Sequence, residues 1–189
     1  MIVIRETSEA DIRFLAEVVV AAASLGTVEE IKAGKLEDVV EVMMEICRSD
    51  WSLYWYKLAL TAEDTETGKP VGCILGYDGA RYAEARKKTF AYAEEKLGHP
   101  LGECGTETVP GEFYLDSMTI LPEYRGLKIG HRLMEALMDR CRKEGHKKFS
   151  LLADKDAPRL RNYYASIDFK ETEEILFFGH PYIRMLKEF

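Results

Sequence analysis

The chain has 189 residues, 47% of them hydrophobic and 31% charged, a balance that suits one globular domain with a full core and excludes a disordered polyelectrolyte. Its formal charge of -7 gives nucleic acid or an anionic membrane no long-range attraction, whereas a cationic acceptor such as an amine meets a favourable field. No apolar run approaches the roughly 18 residues of a membrane helix, and Met1 to Glu6 alternates apolar and polar without the pattern of a signal peptide.

The four cysteines, Cys47, Cys73, Cys104 and Cys141, are scattered and form no CxxC pair. They read as reduced thiols of a cytoplasmic protein, with no metal site and no disulfide framework.

The predicted elements begin with a strand over Ile2-Val3-Ile4-Arg5. Ser8 is placed to cap the next helix, with Asp11 three residues on as the capping-box acid. Ile12, Leu15, Ala16, Val19 and Ala23 keep helical spacing, and Gly26 ends the run. A second helix is expected from Leu36 to Cys47. Two strands, Tyr56–Leu60 and Val71–Tyr77, flank a polar turn with Gly68 and read as an antiparallel pair. Residues 78–111 then form an unusual segment, read as an insertion that is helical in its first half. Its helix is expected over Arg81–Leu97, with Ala83, Phe90, Ala93 and Leu97 on one face.

Glu112–Ile120 reads as a strand and Leu121–Tyr124 as a turn. The strongest helix follows, over Ile129–Glu144, where Ile129, Leu133, Leu137 and Cys141 step by four. A buried-type strand at Phe149–Ala153, a short helix at Ala157–Ser166 and two strands near Ile175–Phe178 and Tyr182–Leu186 close the chain. This order predicts an α/β (α+β) domain spanning 1–189, with a mixed sheet of about six to seven strands and helices on both faces.

The sharpest feature is Tyr124-Arg125-Gly126-Leu127-Lys128-Ile129-Gly130, between a strand end and a helix start. Clustered phosphate oxygens need converging donors. The N–H groups at a helix start supply them, and the helix dipole adds to the attraction. Glycine lets the backbone approach closely, and Arg125 and Lys128 add charge. There is no GxxxxGK[ST] and no GxGxxG, so neither a nucleotide P-loop nor a dinucleotide fold is supported. The plainer reading is a solvated basic turn.

Leu121-Pro122-Glu123-Tyr124-Arg125-Gly126-Leu127-Lys128-Ile129-Gly130 resembles the acetyl-CoA motif of the GNAT N-acetyltransferases, Arg/Gln-x-x-Gly-x-Gly/Ala. Arg125 and Gly130 match its ends, and Lys128 stands where the middle glycine would be. Tyr163-Tyr164-Ala165-Ser166-Ile167-Asp168-Phe169 resembles the family's leucine-tyrosine-x-x-x-glycine-phenylalanine segment, with Asp168 in place of glycine. The resemblance implies an acyltransferase that moves an acetyl group from acetyl-CoA to a primary amine by direct attack in a ternary complex. It implies that the backbone of Met118 and Ile120 receives the pantetheine arm and that residues Arg125, Gly126, Leu127, Lys128, Ile129 and Gly130 hold the diphosphate. A non-catalytic acyl-CoA sensor or interaction domain on the same fold is the alternative.

Tyr164 is the candidate general acid on this resemblance, with Tyr163 as its neighbour and a plain core tyrosine as the alternative. Asp116 is the candidate base. Asp116 and Glu112 share strand parity with Met118 and Ile120 and are expected on the same side unless a bulge intervenes. His99, His131, His146 and His180 lack ligand spacing among themselves. Trp51, Tyr54, Trp55 and Tyr56 are candidates to line the acceptor site, and residues 78–111 to cover it. Edge strands near the carboxyl terminus allow a homodimer.

Overall fold

In the computed structural model the first four strands pair in sequence order, although helices lie between the first and second and between the third and fourth. The structure describes residues 1–23, 31, 33–102 and 105–189; Gly26, the expected helix stop, and Cys104 lie outside the described residues. β1 (Ile2–Glu6), β2 (Ala59–Asp64), β3 (Lys69–Asp78) and β4 (Phe113–Ile120) are antiparallel neighbours. β5 (Lys148–Asp154) lies parallel to β4, and β6 (Lys170–Phe177) and β7 (His180–Glu188) complete a seven-stranded sheet of order β1-β2-β3-β4-β5-β7-β6.

The sheet separates two apolar clusters. On one face, α1 (Ile12–Ala22), α2 (Glu37–Arg48) and α3 (Tyr82–Leu97) pack Leu15, Val19, Met43, Ile46 and Tyr82 against Cys73, Tyr77 and Tyr114 of the sheet. On the other face, α4 (Ile129–Lys143) and α5 (Pro158–Ser166) pack Leu133, Leu137 and Tyr164 against Ile74, Phe113, Phe149 and Leu151. The expected mixed sheet with helices on both faces is the observed one. The buried Cys47, Cys73 and Cys141 are free thiols, and burial pushes the Cys73 and Cys141 thiols up to about 12.

Several boundaries move for local reasons. Ser8 and Asp11 form the expected capping box, but a short 3-10 turn over Glu9–Asp11 precedes α1. Tyr56–Leu58 is also a 3-10 turn, so β2 starts at Ala59 and runs on to Asp64, shortening the turn before β3. In α3 the buried positions are Tyr82, Ala85, Thr89 and Ala93, while Ala83 is exposed. Of the expected stripe, Ala93 is buried, Leu97 packs on the core and Phe90 is partly buried, but at the helix start Tyr82 takes the core position instead of Ala83.

Two irregularities in β4 determine what the sheet can do. The first is a bulge: Leu75 pairs with Ser117 and Gly76 with Leu115, so Asp116 has no opposite residue. The bulge corrects the expected parity. Phe113, Leu115, Met118 and Ile120 all pack with the α4 cluster. Asp116 keeps the opposite face with Tyr114, and there the hydroxyl of Tyr77 donates to its carboxylate at 2.8 Å. Glu112 stays with neither group: it is buried in an ion pair with Arg184 of β7.

The second irregularity is the end of pairing. β4 and β5 exchange parallel partners only from Phe113/Phe149 to Leu115/Leu151. Beyond that point the strands splay apart. The β4 edge over Asp116–Ile120 therefore has no partner on the β5 side.

Gly76 makes the bulge possible. A Cβ there would lie 2.8 Å from the Tyr114 carbonyl oxygen and 2.9 Å from Leu137 Cδ2. Gly76→Ala is predicted to cost about 1–3 kcal/mol of stability, measured by urea denaturation. An unchanged midpoint would mean that the strand pair closes over a side chain without strain.

Candidate active site

The motif residues before α4 fold into a helix entrance. Pro122–Tyr124 is a 3-10 turn, and Gly126 has φ +83. Lys128 takes φ 58, ψ 19, the left-handed conformation that glycine adopts most easily. It is followed directly by the helix. Lys128 thus holds the backbone shape expected of the glycine it replaces, at a cost of roughly 1–2 kcal/mol. Asp168, the other residue at a family glycine, has φ 71. Asp is among the few residues that enter this region readily.

The first helical bond of α4 runs from the N–H of Arg132 to the carbonyl of Lys128, at 3.1 Å. The N–H groups of Ile129, Gly130 and His131 precede the ladder and point out of the helix end, as the geometry of any helix start requires. They open on a cavity of ≈ 500 Å³ walled by Met118, Ile120, Arg125, Gly126, Lys128 and Gly130, among others. Its interior is apolar where β4 contributes Met118 and Ile120, and polar at the helix end. This arrangement suits a flexible apolar-to-amide arm ending in a diphosphate. The residues present fit coenzyme A on that ground.

Of the sequence-predicted cofactor residues, Met118, Ile120, Arg125, Gly126, Lys128, Ile129 and Gly130 line this one cavity. Leu127 is 59% exposed and leaves it to its neighbours.

The two tyrosines of α5 divide. Tyr163 lines the cavity, and its hydroxyl is a buried atom without a hydrogen-bond partner. Tyr164 is buried against Phe169 and Tyr163, with ring centroids 5.8 and 5.4 Å away. Its hydroxyl makes no hydrogen bond among the described residues, and burial holds its phenol well above the usual range.

Asp116 belongs to a different cavity on the opposite face of β4. That space is lined by Asp116, Ser117, Leu152, Tyr54, Tyr114 and Glu107, among others. Ser117 and Leu152 lie on β4 and β5 just past their last paired residues, so this cavity sits at the splay itself.

Here the structure adds a residue that sequence reasoning did not select. Glu107 accepts hydrogen bonds from the hydroxyls of Tyr114 (2.8 Å) and Tyr82 (3.1 Å). Asp116 accepts from Tyr77 (2.8 Å) and from the hydroxyl of Ser117 (2.7 Å). Burial is the largest influence on both carboxyls and raises both. The charge of Asp116 raises Glu107 further, against the hydrogen bonds of the two tyrosines. The phenols of Tyr54, Tyr77 and Tyr114 are held well above their usual range by burial and by these carboxylates. Two buried acids whose carboxyls are both raised form a candidate proton acceptor.

Of the aromatic candidates, Tyr54 alone reaches these cavities. Trp51 packs on Tyr92 at 5.4 Å, and Trp55 on Tyr56 at 6.3 Å. Among the described residues, Asp154, Asp156 and His180 bring ligand-type atoms within 4.8 Å of one another. His180 Nε2 already pairs with Asp154 at 2.9 Å.

Glu107→Gln separates stability from chemistry. Because the folded state raises this acid, the stability tied to its protonated form is complete at acid pH and is lost as pH rises through the raised pKa. Glutamine keeps the shape and one of the two acceptor oxygens without ionising. The variant is predicted to melt higher than the parent above neutral pH and equally at pH 4, by thermal unfolding. A lower melting temperature at alkaline pH would mean that the carboxylate is stabilised there.

The model of the Acetyltransferase (GNAT) family matches residues 28–169. A solved structure described as an acetyltransferase is 25% identical, with TM-score 0.78 and coverage of 98% of each chain. An N-acetyltransferase from Staphylococcus aureus Mu50 superposes with TM-score 0.81 at 22% identity, over 98% of this chain and 100% of that one. A Bacillus subtilis (strain 168) protein, provisionally named a ribosomal protein bS18-alanine N-acetyltransferase, is 33% identical over 72 residues. That match spans 37% of this chain and 48% of the relative. With a family match over most of its length and the fold to accompany it, the chain belongs to the GNAT family of acetyltransferases.

Proposed function

We propose that this protein transfers the acetyl group of acetyl-CoA to a primary amine by direct attack in a ternary complex. The observation that carries the reading is the splay of β4 from β5, with a phosphate-suited helix end on one side and a carboxylate pair on the other. In this reading the N–H groups at the start of α4 and the Arg125 guanidinium hold the diphosphate. The unpaired β4 edge over Met118 and Ile120 takes the pantetheine amides as a partner strand would. Acetyl-CoA supplies an activated acetyl group as a thioester.

The acceptor arrives as an ammonium drawn to Asp116 and Glu107. One proton passes to the carboxylate pair, leaving a nitrogen lone pair. The C–N bond forms as the C–S bond breaks. A phenol protonates the departing thiolate, and the second proton lost by nitrogen restores that phenol by way of solvent. Tyr164 is the proposed donor because it stands at the tyrosine of the family motif, and its hydroxyl, like that of Tyr163, makes no hydrogen bond among the described residues. Tyr163 is the second reading, because it lines the cofactor cavity.

Two measurements test this. Calorimetric titration with acetyl-CoA is predicted to show affinity about tenfold weaker in Arg125→Ala, the loss of one charged hydrogen bond. No binding by the parent protein would remove the cofactor assignment. In steady-state assays, Tyr164→Phe is predicted to lower kcat about 10²-fold or more with KM for acetyl-CoA unchanged. If only Tyr163→Phe has that effect, Tyr163 is the donor.

The pH profile is a further test. kcat/KM is predicted to rise through neutrality as the carboxylate pair ionises. In Asp116→Asn the residual activity should rise at lower pH, because the charge that keeps Glu107 protonated is gone. A limb that stays in place would exclude Glu107 from the titrating pair.

A further inference from the structure

A large apolar cavity adjoins the carboxylate pair. It has a volume of ≈ 540 Å³, within the range of small-molecule sites. Val42 of α2, Phe90, Ala93 and Leu97 of α3, and Phe178 of the β6–β7 turn are among its walls. It shares Ala23, Tyr54, Phe177, Phe178 and Tyr182 with the cavity of Glu107 and Asp116, so the two spaces abut. One charged end and one greasy body are therefore offered to a single ligand.

The walls are built for this shape. Phe178 is an aromatic residue with φ 48, a strained conformation for a bulky side chain, and it precedes Gly179 with φ 77. The turn aims its ring at Phe90 of α3, where the two stack at 6.2 Å with planes 15° apart. That contact ties the carboxyl-terminal hairpin to the helix of segment 78–111. Asp154, the one carboxylate among the described residues lining this larger space, is already paired with His180 at 2.9 Å. A polyamine would need negative charge along its whole length, and a peptide would need polar partners along its backbone. The described walls are mostly apolar, with polar groups from Thr89, His180 and the tyrosines at a few points, which suits an apolar body better than either.

Resting on the transfer reaction proposed above, we infer that the acceptor is a small primary amine with a bulky apolar or aromatic body. Its ammonium lies between Glu107 and Asp116, and its body fills the space between α2, α3 and the β6–β7 turn. Segment 78–111 acts as a specificity wall through Phe90, Ala93 and Leu97.

The test compares kcat/KM for tryptamine and phenethylamine with that for ethylamine, spermidine and a peptide with a free amino-terminal alanine. The arylalkylamines are expected to exceed the other three by about 10²-fold, the scale of apolar pocket discrimination. Val42→Phe and Leu97→Phe, which fill the cavity from two helices, are expected to raise KM for tryptamine about tenfold. Neither should change KM for acetyl-CoA. Both variants are checked for a parent-like melting transition, and two independent positions guard against the misfolding of one.

Preference for spermidine or the peptide would overturn the acceptor class while leaving the transfer reaction in place. If no amine is acetylated although acetyl-CoA binds, the transfer reading fails, and calorimetry with tryptamine decides the pocket. Tryptamine binding that both filled variants weaken supports the pocket, and no binding overturns it.

Discussion

Everything specific to this fold depends on where β4 and β5 stop pairing. A parallel pair held to its full length would bury its edges and leave a closed sheet. Here the ladder ends at Leu115 and Leu151, and the strands diverge. Backbone donors and acceptors of a β4 segment are thereby left without partners beside β5. Unpaired groups of that kind are costly when dry, so they are a standing invitation to a ligand that carries amides. The helix that follows starts with three N–H groups free, at the far end of the same opening.

The bulge at Asp116 divides the two chemistries between the two faces. Without it, strict alternation would put Met118 and Ile120 on the face of Tyr114 and Asp116, away from α4. The extra residue turns Met118 and Ile120 toward α4 and leaves the carboxylate on the opposite face, where Tyr77 and Ser117 hold it. There it meets Glu107, brought from the loop before β4 by the hydroxyls of Tyr82 and Tyr114. Burial raises both carboxyls, and the charge of Asp116 raises Glu107 further. The cost of holding two acids out of water falls on stability, and the proposed return is a proton acceptor at the place where the strands open.

The parts of this design that follow local rules were legible in the sequence. The spacing of Ile129, Leu133, Leu137 and Cys141 gave α4 its buried stripe, and Gly126 and Arg125 marked its entrance. Lys128 and Asp168 departed from glycine in sequence yet took left-handed backbone conformations in the fold. The bulge was not legible, because it belongs to the pairing of Gly76 with Leu115 and to no property of Asp116 alone. Glu107 was missed for a similar reason. It lies in a loop, and only tertiary packing gives it two tyrosine donors and a second carboxylate. The exposed first position of the expected α3 stripe, Ala83, has the same origin, since Tyr82 enters the core to reach Glu107.

The most direct measurement is amide hydrogen exchange by mass spectrometry, with and without acetyl-CoA. Peptides covering Asp116–Ile120 and Gly126–His131 should exchange more slowly in the complex, since a bound arm would cap the open strand edge and the helix end together. Protection at the helix end alone would contradict the claim that the splayed edge receives the cofactor, and no protection at either would contradict the site as a whole.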